Sequence, residues 1–170
     1  PGTTIVSVDS GTTLTTQDSL DALAAFDRDH SEVFWLSPKS FSSSSVTFEI
    51  SSPWTADGLS SLISQVDSKA QELANAAKSK SNEPLLQVKY VHDWLVNNNT
   101  YNTAAAGSAS YSSNSPWEAV SALGLSSDGP VCEGYARAFK LVCDKLNIHC
   151  VLVSGQGNGG DHMWNYVQLD

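Results

Sequence analysis

Basic residues are scarce in this chain. Nine lysines and arginines stand against 18 aspartates and glutamates, a formal net charge of −9 over 170 residues. Phosphate backbones and anionic headgroups are held by clustered cations, so nucleic acid and anionic membranes are excluded as natural partners of such a surface. No apolar run approaches the eighteen or so residues of a membrane-spanning helix, so no membrane span is expected. Cysteine is limited to Cys132, Cys143 and Cys150, with no CxxC and no zinc-like spacing. No acidic loop carries the alternating oxygen ligands of a calcium site, and no His/Cys/carboxylate cluster suggests zinc. Neither a metal nor a cofactor is expected. The chain opens at Pro1 with no methionine and no charged and apolar leader, so any signal peptide is expected to have been removed or to lie outside this sequence.

With 41% hydrophobic residues the chain can bury a core without a disulfide framework. The spacing predicts an extension over 1–55 and a core over 56–170. Residues 1–16 read as a loose or edge segment, 17–30 as a short helix, and Val33–Leu36 and Val46–Ile50 as strands joined by a turn at the serine run 41–45. A long helix follows at 56–79, with Asp57 as its cap and Leu59, Leu62, Ile63, Val66, Ala70, Leu73 and Ala77 on one stripe. Another starts at Pro84 with Leu85, Val88, Val91, His92 and Leu95 on one face, and ends at the asparagine run 97–99. Residues 103–115 read as a flexible loop, and Pro116 opens a short helix through Leu123.

The chemistry concentrates after Gly129. In GPVCEGYARAFKLVCDKLNI, the residues Tyr135, Phe139, Val142, Cys143 and Leu146 fall on one apolar helix face, with Cys132 a turn earlier on that face. Pro130 suits a helix's first turn. There, unsatisfied N–H groups and the macrodipole favour an anion, which lowers a thiol pKa toward the reactive thiolate. After the helix, 148–153 reads as a strand, the glycine-rich 154–161 as a connection, and 162–169 as a second strand. His162, Trp164, Tyr166 and Gln168 point one way and Met163, Asn165, Val167 and Leu169 the other. If the helix packs across that hairpin, Cys132 can face His162 as nucleophile to base. From the residues alone, a buried structural cysteine and a structural histidine remain the competing reading. Cys143 reads most simply as a core residue; its pairing with Cys150 is left open.

Three blocks occur together and in order: VKYVHDWLVNNNTYN at 88–102, the cysteine block at 129–155, and GGDHMWNYVQLD at 159–170. In these the segment from about Leu85 to Asp170 resembles the transglutaminase-like superfamily, in particular its bacterial members. FDRDHSEVFWL at 26–36 resembles an extension found among them. The resemblance implies an α+β, cysteine-proteinase-like fold in which helices pack on an antiparallel sheet and the nucleophile starts a helix. It implies acyl transfer at an amide through a Cys132 thioester, with His162 moving the proton, the backbone N–H of Cys132 as oxyanion donor, and Tyr135 and Trp164 walling the substrate pocket. Peptidase- or amidase-type hydrolysis and transglutaminase-type crosslinking both fit, on a protein or peptide substrate that is in some cases cell-wall associated. The alternative is a catalytically inactive module that binds peptide or cell wall. The triad aspartate is expected on a strand beyond Asp170, which does not itself take that role. His92 is expected to be a hydrogen-bonded core residue. Serine, threonine and asparagine richness points to an extracellular or cell-surface protein.

Overall fold

The computed structural model describes residues 4–7, 15–41, 45–51, 53–157 and 159–169. Strand β1 (Thr4–Ser7), helix α1 (Thr16–Asp29) and strands β2 (Leu36–Phe41) and β3 (Ser45–Ile50) form the leading part. Helices α2 (Ala56–Lys80) and α3 (Pro84–Asn98) follow, then two one-turn helices, α4 (Thr103–Ala106) and α5 (Ala119–Ala122), with a 3-10 turn at Ser115–Trp117 between them. Helix α6 (Cys132–Leu146) and the hairpin β4 (Cys150–Gly157) and β5 (Gly160–Val167) complete the order. The first three strands make an antiparallel sheet in the order β1-β3-β2, and β4 and β5 make a second antiparallel ladder.

The core gathers around α6, which touches α2, α3, α5 and both strands of the hairpin. Ala138, Val142, Cys143, Leu73, Val91 and Leu123 form one buried cluster, with Phe34 plugged into it from the leading part. The start of α1 and the end of α6 are set by local features. Thr15 and Asp18 form a reciprocal capping box on α1. At the other end of the chain, Asn147 takes a left-handed φ of 59° after α6 and turns the backbone straight into β4.

Several local expectations shift. Residues 33–35 are a turn, closed by Val33 N–H to His30 O and Leu36 N–H to Val33 O, and the strand begins only at Leu36. That turn frees Phe34 to enter the core, edge-on to Trp54 at 5.2 Å. The strand runs through Pro38, which β2 tolerates because it is an edge and bulges there. Of the predicted serine turn, residues 42–44 lie outside the described residues. Asp57 is not the cap of α2: Asp57 and Gly58 have non-helical dihedrals, with Gly58 at φ +80°, and Thr55 holds the preceding position. On α3, Val88, Val91 and Leu95 are buried as expected, but Leu85 and His92 are exposed. The stretch 103–115 is tied down, since α4 forms within it and Tyr111 and Ser113 hydrogen-bond to Asp128. The glycine-rich connection of the hairpin is mostly strand. Its ladder continues to Gly157 opposite Gly160, and the Asn-Gly dipeptide between them is the preferred composition of a two-residue turn.

Candidate active site

Cys132 is the first residue of α6 and is half-buried. The chain reaches it through a laced segment. Asn102 N–H donates to Pro130 O at 3.0 Å, and Val131 N–H donates to Pro116 O at 2.9 Å. Two glycines permit this closeness. A Cβ on Gly129 would collide with the carbonyl of Thr100, and one on Gly134 with that of Pro116, each closer than 3.0 Å. The motif Gly-Pro-Val-Cys-Glu-Gly thus places the helix start by backbone contact, and the thiol stands in the first turn, where the N–H groups have no intrahelical acceptors.

Across from it, His162 lies on β5 opposite Gly155. Its ring stacks on Trp164, with centroids 5.9 Å apart and planes inclined by 26°. Gly155 and Gly157 on β4 make room for these two rings: a Cβ on Gly155 would meet the Trp164 indole at 2.9 Å, and one on Gly157 would meet His162 at 3.1 Å. Cys132 and His162 together line two adjoining grooves. One, of about 600 Å³, is walled by Tyr135, Phe139, Trp164, Tyr101 and Val96. The other, of about 440 Å³, is more polar, with Glu133, Ser154, Gln156 and Asp161. All four predicted site residues, Cys132, His162, Tyr135 and Trp164, therefore meet at one cleft.

The route by which they meet differs from expectation. Helix α6 packs on the face of β5 that carries Met163, Asn165 and Val167; Asn165 Nδ2 donates to Ala136 O at 3.0 Å. His162 and Trp164 stand on the outer, exposed face, and the imidazole reaches the thiol's cleft at its rim. No hydrogen bond joins the Cys132 and His162 side chains among the described residues. His92, expected in the core, has a side chain 66% exposed, donates from Nδ1 to Asp93 Oδ1 at 3.1 Å, and lines the larger groove. It lies one residue past Val91, at the edge of the buried stripe of α3 rather than at its centre. Asp170 lies outside the described residues.

Two further features escaped the sequence. Tyr101, quoted only within a motif, lies against both the thiol and the backbone N–H of Cys132, and its ring stacks on Tyr135 with centroids 6.4 Å apart. Burial, then the neighbouring thiol, raises its phenol pKa. Tyr135 is raised in the same way, by burial and then by Tyr101. The other feature is Arg137, buried mid-helix one turn after Glu133. It donates to Glu133 Oε1 through Nε at 2.9 Å and Nη2 at 2.7 Å, to Asp27 O at 3.0 Å and to the Asp27 carboxylate. Glu118 is the most buried acid of this cluster and the farthest from the guanidinium, at 3.7 Å from Nε. Burial pushes its carboxyl up to about 8 against the pull of Arg137, which is already engaged by two nearer carboxylates. The signal was an arginine with an acid four residues before it on the same helix; Asp27, from α1, is too distant in sequence for any window to see.

No described helix is long and apolar enough to cross a membrane. No curated protein matches the chain. A family model for the transglutaminase-like superfamily matches residues 71–170. Those residues include α3, the start of α6 and the β4–β5 hairpin, the elements that enclose the cleft, and they make up more than half of the sequence. With its mixed helices and antiparallel strands, the α+β fold expected of such a domain, the chain belongs to the transglutaminase-like superfamily.

Proposed function

We propose that this protein transfers acyl groups from amides through a thioester on Cys132. The superfamily points to cysteine-protease-like acyl transfer in general terms; the assignment to particular residues is our reading. The observation that carries it is the shared cleft, with a thiol in the first turn of a helix and an imidazole lining the same two grooves. Cys132 Sγ attacks the carbonyl carbon while His162 accepts the thiol proton. The carbonyl π electrons move onto oxygen, where the Cys132 N–H stabilises the charge. Collapse breaks the C–N bond, and His162 returns its proton to the departing amine. Water then releases the acid, or an amine takes the acyl group. Hydrolysis of a peptide or cell-wall-associated amide is the favoured outcome, at the cell surface, in keeping with the serine- and threonine-rich, lysine-poor composition. A nucleophile and base joined only on substrate binding is ordinary, since catalytic hydrogen bonds are often long or unformed in the free enzyme. The larger groove, walled by Tyr135 and Trp164, would receive an apolar side chain of the acyl donor.

The test is the rate of iodoacetamide alkylation as a function of pH. Cys143 and Cys150 are buried, so the folded protein reports Cys132 alone. A thiolate titrating well below the free-cysteine value of about 8.5, and losing that shift in His162→Ala, is the expected result. A Cys132 that titrates at or above the free value in the wild type would refute the assignment.

A further inference from the structure

Away from the cleft, two thiols stand together in the core. Cys143 lies in the last turn of α6 and is fully buried; Cys150 is the first residue of β4 and is 2% exposed. The backbone folds back between them. Asn147 takes its left-handed conformation, and Ile148 N–H donates to Cys143 O at 3.0 Å, so β4 starts beside the helical turn the chain has just left. The two thiols lie close enough for each to perturb the other's ionisation. Cys150 Sγ also receives the Asn165 side-chain amide at 3.5 Å, the same amide that binds the Ala136 carbonyl of α6. The contact with Cys150, then burial, raises the Cys143 thiol, while the contact with Cys143, assisted by the Asn165 amide, lowers that of Cys150. Apolar side chains of the core surround them, with Lys140 and Asp144 of α6 the nearby charges.

We propose that Cys143 and Cys150 are the site of an intramolecular disulfide that ties the end of the Cys132 helix to the strand pairing with β5. The oxidant is a low-molecular-weight disulfide of the glutathione class. The Cys150 thiolate attacks one of its sulfurs, and the S–S bond breaks to release one thiolate. Cys143 then loses its proton to solvent and attacks the Cys150 sulfur of the mixed disulfide, expelling the second thiolate. Two protein thiols are oxidised by two electrons, and one reagent disulfide is reduced to two thiols. Both sulfurs are closed off in the finished fold, so the exchange takes place while the chain folds.

The sequence makes the test direct, because trypsin cleaves after Lys140 and Lys145. Cys143 then falls in 141–145, Cys150 in 146–170, and Cys132 in a third peptide ending at Arg137. The protein is refolded from urea in mixed reduced and oxidised glutathione, its remaining thiols are alkylated in denaturant, and it is digested without reduction. The expected product is 141–145 linked to 146–170, two hydrogens lighter than the sum of the parts. The melting temperature should lie about 5–10 °C above that of the reduced protein. Cys143→Ala and Cys150→Ala should each abolish the linked peptide and the dependence of melting on redox buffer. Recovery of both peptides alkylated, or a bridge made instead through Cys132, overturns the proposal. So does a bridged protein that melts no higher than the reduced one, since such a bridge would not fit the native geometry.

Discussion

Replacing Gly134 by alanine should destabilise this protein although alanine is the better helix former. In an open helix the exchange gains about 1 kcal/mol. Here the added Cβ would fall closer than 3.0 Å to the Pro116 carbonyl oxygen, with Ser121 Oγ at 3.0 Å and the Pro130 Cβ at 3.1 Å on its other sides. The first neighbour is backbone, and it already accepts the Val131 N–H at 2.9 Å and the Ser121 hydroxyl at 3.4 Å. Relieving the overlap means moving α6 away from the 115–122 segment, an overpacking cost of about 1–3 kcal/mol. Stretching the Val131 hydrogen bond adds about 0.5–1.5 kcal/mol. Against the propensity gain, the balance is a loss of roughly 1–3 kcal/mol, or about 2–10 °C in melting temperature for a chain of this size. Urea unfolding at constant slope measures it directly. The same displacement sits two residues from Cys132, so the alkylation rate of that thiol should change as well. A Gly134→Ala protein with an unfolding midpoint equal to or above that of the wild type would refute the view that this glycine is required by close approach.

Glu118 should impose a pH dependence on stability. Its folded-state pKa is raised from 4.5 to about 8, so between those values the native state holds a proton the unfolded chain has released, and stability falls as pH rises through that window. Glu118→Gln should flatten the fall in urea midpoint between pH 5 and 8; an unchanged slope would sink the assignment. Tyr101→Phe keeps the stacked ring on Tyr135 but removes the hydroxyl beside Cys132. It should leave the melting temperature nearly unchanged while slowing alkylation of Cys132 at neutral pH by about tenfold, the scale of one hydrogen bond to a charged sulfur; an unaltered alkylation profile would show the hydroxyl to be a bystander.

The helices were legible because their information is local. The stripe of α2 and the Gly-Pro entry to α6 lie within one or two turns of the residues they position. The hairpin was half legible. Alternation separated His162 and Trp164 from Met163, Asn165 and Val167 correctly, yet it cannot say which face a helix will cover. Apolar content favours the face of Met163, Val167 and Leu169, whereas the aromatic rings of Trp164 and Tyr166 lie on the other, where Tyr166 is 70% exposed. The inner face is decided by Asn165, whose amide is satisfied by a helix carbonyl and a cysteine sulfur, partners visible only once α6 is in place. Phe139 shows the converse. Its spacing put it in the core, but it is only half-buried and walls the cleft, because it stands where α6 borders the groove.

Arg137 marks the limit of a pattern-based reading. Helical periodicity would send a guanidinium to solvent, whereas this one is buried against Glu133, Glu118 and Asp27. Burying such a group unpaired is costly, and burying it among three acids is tolerable. The FDRDH stretch thus joins the cysteine helix through an ion cluster rather than an apolar contact. That gives a physical reason for the two motifs to occur in one chain: Asp27 supplies both a carbonyl and a carboxylate to the helix that begins, five residues before Arg137, with Cys132. Replacing Asp27 would take the carboxylate acceptor from Arg137 while leaving the backbone carbonyl, inside the helix that positions the nucleophile, so the leading segment supports the site without lining it.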